Sequence, residues 1–80
     1  MVAHPPIQLL DTVAVVTPLP EFDLVAGEVG AVVELLGDDA FEVEFCDGSG
    51  QTYGVHTLRA HQILALHTQG QPLRATLQAV

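Results

Sequence analysis

The stretch Gly27–Phe45 constrains the fold most. Its sequence, Gly-Glu-Val-Gly-Ala-Val-Val-Glu-Leu-Leu-Gly-Asp-Asp-Ala-Phe-Glu-Val-Glu-Phe, reads as two antiparallel strands and a tight turn. Phe41, Val43 and Phe45 alternate with Glu42, Glu44 and Cys46, the period-two pattern of a strand with one buried and one wet face. Glu28–Leu36 is the first arm and Ala40–Cys46 the second, with Gly37-Asp38-Asp39 between them. Directly opposite residues share a face, so burying Val33 with Val43 or Phe45 demands a turn with an odd number of residues. A three-residue turn sets Glu34 against Glu42, and a five-residue turn sets it against Glu44. An even turn sets Glu34 against Val43 and is rejected. The expected core face is Val33, Val43 and Phe45, and the outer face carries Glu34, Glu42 and Glu44 with Val32 and Leu36 among them. Arg59 is the one candidate cation inside the folded body to answer these glutamates, and a solvated acidic face without it is the simpler reading.

The remaining chain is placed around this hairpin. Eighty residues make one domain, near the lower limit for a core without a disulfide or metal. Residues 1–8, with Pro5 and Pro6, read as an N-terminal arm. The β-branched run Leu9–Thr17 is a first strand. Pro18 and Pro20 break it, and a long loop to Gly27 carries Leu19, Phe22, Leu24 and Val25, expected to fold back over an open end of the core. Asp47-Gly-Ser-Gly50 is a turn and Gln51–Leu58 a fourth strand, with Tyr53, Val55 and Thr57 on one face and Thr52, Gly54, His56 and Leu58 on the other. Arg59–Gln62 reads as a 3₁₀ turn and Ile63–His67 as a fifth strand. Five short strands, one long loop and a turn before the last strand predict an all-β fold, a small closed or nearly closed SH3-like barrel over residues 9–67. Residues 68–80 form a tail. Gln69–Pro72 breaks the strand, and Leu73, Leu77 and Val80 recur at a helical spacing, predicting a short amphipathic helix with Pro72 in its first turn if the tail is not extended.

Charge and cysteine content exclude several classes. All ten acidic residues lie between Asp11 and Asp47, lysine is absent, and Arg59 and Arg74 are the cations, for a net charge of −8. Nucleic acid is repelled by such a surface, because phosphate affinity comes from Lys and Arg displacing counterions. No apolar run approaches the roughly 20 residues that span a bilayer, so no membrane partner is expected. The start lacks a cationic segment followed by an apolar one, and the single Cys46 forbids an internal disulfide; a reducing, cytoplasmic location is expected.

Residues with chemical potential are sparse. His56, His61 and His67 together with Cys46 supply metal-ligand types, but their spacings match no zinc motif, and exposed histidines are the simpler reading. Cys46 with His56 supplies a nucleophile and a base without an orienting group. Gly27-x-x-Gly30 lacks the lysine and helix of a phosphate loop, and tight strand entry accounts for both glycines. Asp38, Asp39 and Asp47 lack the twelve-position calcium pattern and suit turns. No catalytic residue, metal or cofactor is therefore assigned.

Leu10-Asp-Thr-Val13, Leu19-Pro-Glu21, Gly27–Glu34, Phe41–Phe45 and Gly50-Gln-Thr-Tyr53 resemble a family of very short bacterial proteins catalogued only as a domain of unknown function. The resemblance covers about residues 9–66 and implies an SH3-like barrel, without catalytic residues to carry over. Such proteins resemble accessory cargo encoded near toxin-like or mobile genes. This chain departs from the pattern in its extension after His67 and its lack of lysine. Gly27–Glu34 is also similar to the Gly-x-x-Gly-x-Val core of KOW modules, although the loops here are acidic where such modules are basic.

The functional expectation is a non-enzymatic acidic module for protein interaction that self-associates. Its expected surface is Val32, Glu34, Leu36, Glu42 and Glu44 with Leu73, Leu77 and Val80 of the tail. The alternative is an antitoxin- or immunity-like inhibitor whose acidic face meets a basic protein partner. A third reading, from the catalytic class, is a metal- or thiol-dependent enzyme built on Cys46 and His56.

Overall fold

A computed structural model of the chain describes residues 6–68 and 71–72. Strands β1 (Thr12–Val15), β2 (Val29–Leu35), β3 (Ala40–Cys46), β4 (Thr52–Arg59) and β5 (Ile63–Thr68), with a two-residue β6 (Gln71–Pro72), form one antiparallel sheet in the order β4-β3-β2-β1-β5-β6. Among the described residues the helical pieces are two 3₁₀ turns, Pro20–Phe22 and Ala60–Gln62. The all-β expectation holds. Closure does not: β4 and β5 are not hydrogen-bonded neighbours and the sheet is open. The 3₁₀ turn between them accounts for this, because it redirects the chain over an end of the core without a ladder.

The core is Val13, Val15, Leu19, Leu24, Val32, Phe41, Val43, Phe45, Leu58 and Ile63, with Ile7, Phe22, Ala60 and Ala65 packed against it. Three cross-strand rows build its inner wall: Gly30–Phe45–Gly54, Val32–Val43–His56 and Leu35–Phe41–Leu58. The outer wall has Ala31–Glu44–Val55 and Glu34–Glu42–Thr57. Gly30 is required by its neighbours, since a Cβ there would stand 2.7 Å from the Glu44 carbonyl oxygen and 2.9 Å from Phe45 Cδ1. Tight packing under Phe45 thus explains this glycine.

The odd-turn register with Glu34 opposite Glu42 is present, but it does not run the length of the hairpin. Val32 pairs with Val43, and the register shifts between Val32 and Glu34. A bulge at Val33 absorbs one residue. Val32 therefore points inward and is fully buried, while Val33 is 39% exposed, the reverse of the expected assignment. The sequence pattern assumed one uninterrupted alternation, whereas a bulge lets Val32 and Leu35 both serve the inner wall.

The loop after β1 folds back as expected at Leu19 and Leu24, which are buried and exchange backbone hydrogen bonds of 2.9 and 3.1 Å. Asp23 turns the chain between them with φ of 58°. Val25 is the exception, at 63% exposure. Its N–H donates to Glu28 Oε2 at 2.6 Å, and the turn this closes points the side chain outward.

At the C-terminal end, Pro72 does not begin a helix. Gln71 and Pro72 run antiparallel to β5, opposite Thr68 and His67. The proline sits at a sheet edge, where a missing N–H is tolerated. The expected helix residues Leu73, Leu77 and Val80 lie outside the described residues.

Candidate interaction face and groove

The outer wall of β2, β3 and β4 is the candidate interaction face. Glu34 stands opposite Glu42, with Leu36 and Val33 exposed at the same end of the hairpin. Val32 does not belong to this face, because the bulge turns it into the core. Glu42 and Glu44 are half-buried. Thr57 Oγ1 donates to Glu42 Oε1 at 2.8 Å, and Thr52 Oγ1 donates to Glu44 Oε2 at 2.7 Å. Hydroxyls from the neighbouring strand thus answer these carboxylates on the acidic face. The backbone N–H of Arg59 donates to Gln62 Oε1 at 2.8 Å, bracing the 3₁₀ turn. Leu73, Leu77 and Val80 have no described position from which to join the face.

His56 is an inner-wall residue, contrary to its expected place on the outside. Its ring stacks on Phe22 with centroids 4.5 Å apart and planes 20° apart. It is opposite Val43, so β4 aims it over the core, and the long loop lays Phe22 on top. Cys46 is exposed, and its sulfur lies 3.7 Å from Thr52 Oγ1. The structure therefore brings Cys46 to threonine, not to His56. Among the described residues no three His, Cys, Asp or Glu side chains are grouped as a metal requires. Asp47 is occupied by its own turn: its Oδ1 accepts from Ser49 N–H at 2.9 Å, Ser49 Oγ at 2.7 Å and Gln51 N–H at 3.0 Å. These bonds, the Ser49 hydroxyl foremost, hold the Asp47 carboxyl below its usual range. Asp39 closes another junction, accepting from Ala60 N–H at 3.2 Å.

Two features are not legible from composition. Asp11 is buried at 1% exposure, with Oδ2 accepting from Gln8 N–H at 2.8 Å and Oδ1 lacking a hydrogen-bond partner among the described residues. A Leu-Asp-Thr strand start is the available signal, since Asp closes local turns with its own backbone neighbours. The second is an apolar groove of about 340 Å³ between the hairpin tip, the N-terminal segment and β5. Ile7, Leu35, Phe41, Ile63 and Leu64 line it, and Asp38 is the charged residue of the lining.

The fold and this face define a small, open-sheet, all-β domain with an acidic outer wall. The chain belongs to the family described as Domain of unknown function (DUF4926), whose profile matches residues 9–65. Neither a curated protein nor a solved structure matches it. No helix among the described residues is long and apolar enough to cross a membrane.

Proposed function

We propose that the domain is a non-enzymatic, self-associating protein-interaction module of SH3-like architecture. The strand meander, the long loop between β1 and β2, and the 3₁₀ turn before a fifth strand that pairs with β1 support the architecture. The carrying observation for interaction is the outer wall beside β4, a strand of eight residues with one described neighbour, β3. Val33, Leu36 and Val55 are exposed there among the glutamates. An edge strand presents unpaired backbone groups, and apolar neighbours on its face favour covering it with a second chain. Two copies pairing through β4 satisfy both demands. Light scattering after size exclusion tests this: an oligomer that dissociates on dilution is expected, and a strict monomer at high concentration removes self-association.

Glu34 directly opposite Glu42 favours a second reading, a basic protein partner. Like charges facing each other across a ladder cost a few tenths of a kcal/mol, which a bound cation relieves. Binding that weakens steeply with salt supports it, and a salt-independent partner removes it.

A further inference from the structure

The open edge of β4 presents backbone groups at alternate residues, and the ladder with β3 decides which. Ala60 N–H donates to the Asp39 carbonyl at 3.3 Å, so Ala40 and Arg59 are a pair without mutual hydrogen bonds. Counting back along the register, Leu58, His56 and Gly54 turn their N–H and C=O groups to β3, while Thr57 and Val55 turn theirs outward. Arg59 turns its N–H outward too, where Gln62 Oε1 accepts it at 2.8 Å. Among the described residues, Val55 and Thr57 are thus the edge positions between the bulge at Tyr53 and the 3₁₀ turn whose backbone groups are free.

Parity restricts how such an edge can pair with its own copy. Opposite residues share a face, and a two-fold axis perpendicular to the sheet carries outer wall to outer wall, so one residue of β4 must face itself. An axis at Val55 sets Thr57 against the bulge, and an axis at Thr57 sets Val55 against the occupied N–H of Arg59. An axis at His56 sets Val55 against Thr57 twice and gives each of their N–H groups a carbonyl. The His56 ring leaves that axis clear, because it lies back along its own strand: a Cβ on Gly54 would stand 2.9 Å from His56 Nε2, and Phe22 stacks on the ring.

Charge agrees with this register. The extra residue of the bulge lies between Thr52 and Gly54, so the outer-wall position across the seam from Arg59 falls to Thr52 of the second copy. The Thr52 hydroxyl holds Glu44 Oε2 at 2.7 Å, which draws that carboxylate towards the seam. Arg59 is the one lysine or arginine among the described residues, and it is exposed. The seam itself joins neutral residues, Val55 with Thr57.

We propose that two copies pair antiparallel through β4 about a two-fold axis at His56, with Val55 opposite Thr57 and Arg59 of each chain paired with Glu44 of the other. This rests on self-association through β4 and adds its register and the ion pair that selects it. The symmetric arrangement covers both β4 edges, so assembly through this edge stops at a dimer.

Cross-linking in a Cys46→Ser background tests the register. Val55→Cys chains mixed with Thr57→Cys chains are expected to form the mixed disulfide on the order of tenfold faster than either preparation forms its own, because opposite Cα atoms stand about 5.5 Å apart and same-residue ones about 9 Å. Equal or faster bonding within the Val55→Cys or the Thr57→Cys preparation overturns the register. Arg59→Glu is expected to raise the concentration of half-dissociation on the order of tenfold, and combining it with Glu44→Arg to reverse the loss. Unchanged dissociation in Arg59→Glu overturns the ion pair. Light scattering on the Cys46→Ser chain separates the two levels: an oligomer that fails the cross-linking test leaves self-association standing, and a strict monomer overturns both.

Discussion

Tyr53 donates its hydroxyl to Glu28 Oε1 at 2.7 Å, joining residues 25 apart in the chain. The other Glu28 oxygen accepts from Val25 N–H, so this carboxylate ties the long loop to the edge strand β4. The bond holds the phenol's proton and stabilises the carboxylate's charge, with opposite effects on the two acidities. Tyr53 is pushed from 10.0 up to about 12, first by the hydrogen bond to Glu28, then by desolvation and the carboxylate's charge. Glu28 is held below 4.5, first by the Tyr53 hydroxyl and then by the Val25 N–H.

The pH dependence follows from these directions. The raised Tyr53 contributes stability that is complete below the unfolded value and lost as pH rises through about 12. The lowered Glu28 contributes stability that is present above its unfolded value and lost as pH falls through its folded one. Tyr53 is the chain's one tyrosine and tryptophan is absent, so an ultraviolet titration reads it cleanly. The wild type is expected to ionise near 12 and Glu28→Gln nearer 10.0. Identical midpoints in the two proteins contradict the tie.

The bulge predicts opposite outcomes at adjacent valines. Val32→Ala removes buried methyl groups and is expected to cost about 2 to 3 kcal/mol. Val33→Ala is expected to cost about 0.5 kcal/mol or less, as at other exposed positions. Urea denaturation distinguishes them, and the reverse order restores the unbroken register.

Phe45 is fully buried on the inner wall, and Phe45→Ala is expected to cost about 3 to 5 kcal/mol through lost burial and a cavity. That is most of the stability of a domain this small. A denaturation midpoint equal to the wild type's places Phe45 on the wrong face.

Gly30→Ala tests the packing beneath that ring. The added methyl meets a carbonyl oxygen at 2.7 Å and Val43 Cγ1 at 2.8 Å, and a backbone atom does not rotate away. A loss of about 1 to 3 kcal/mol is expected in denaturant. Wild-type stability in this variant refutes the close approach of β2 to β3.

Val55→Lys probes the proposed interface. Val55 is exposed opposite Glu44, so the folded chain is expected to tolerate lysine within about 0.5 kcal/mol. A charge on the exposed face of a pairing edge opposes association, and light scattering is expected to show a monomer. An oligomer indistinguishable from the wild type moves the interface away from β4.

The sequence by itself determined what local chemistry controls. The alternation of Phe41, Val43 and Phe45 with glutamates placed β3 at Ala40–Cys46 without error, because a half-wet strand leaves that pattern directly. Gly37-Asp38-Asp39 and Asp47–Gly50 announced their turns, and Leu19 and Leu24 announced that the long loop returns to the core. Arg59–Gln62 announced the 3₁₀ turn that the structure has at Ala60–Gln62. The acidic outer wall was legible as well, in Glu34, Glu42 and Glu44. Tertiary structure decided which of Val32 and Val33 is buried, since both are apolar and β-branched and a bulge costs nothing visible in composition. It also decided that His56 lies inward under Phe22, that hydroxyls rather than Arg59 answer the glutamates, and that Asp11 is buried. Each depends on partners distant in the chain, where packing and hydrogen-bond geometry select among locally equivalent choices. Closure of the sheet was decided at the same level: strand count permits a barrel, but hydrogen bonding between β4 and β5 depends on how the 3₁₀ turn carries one strand past the other.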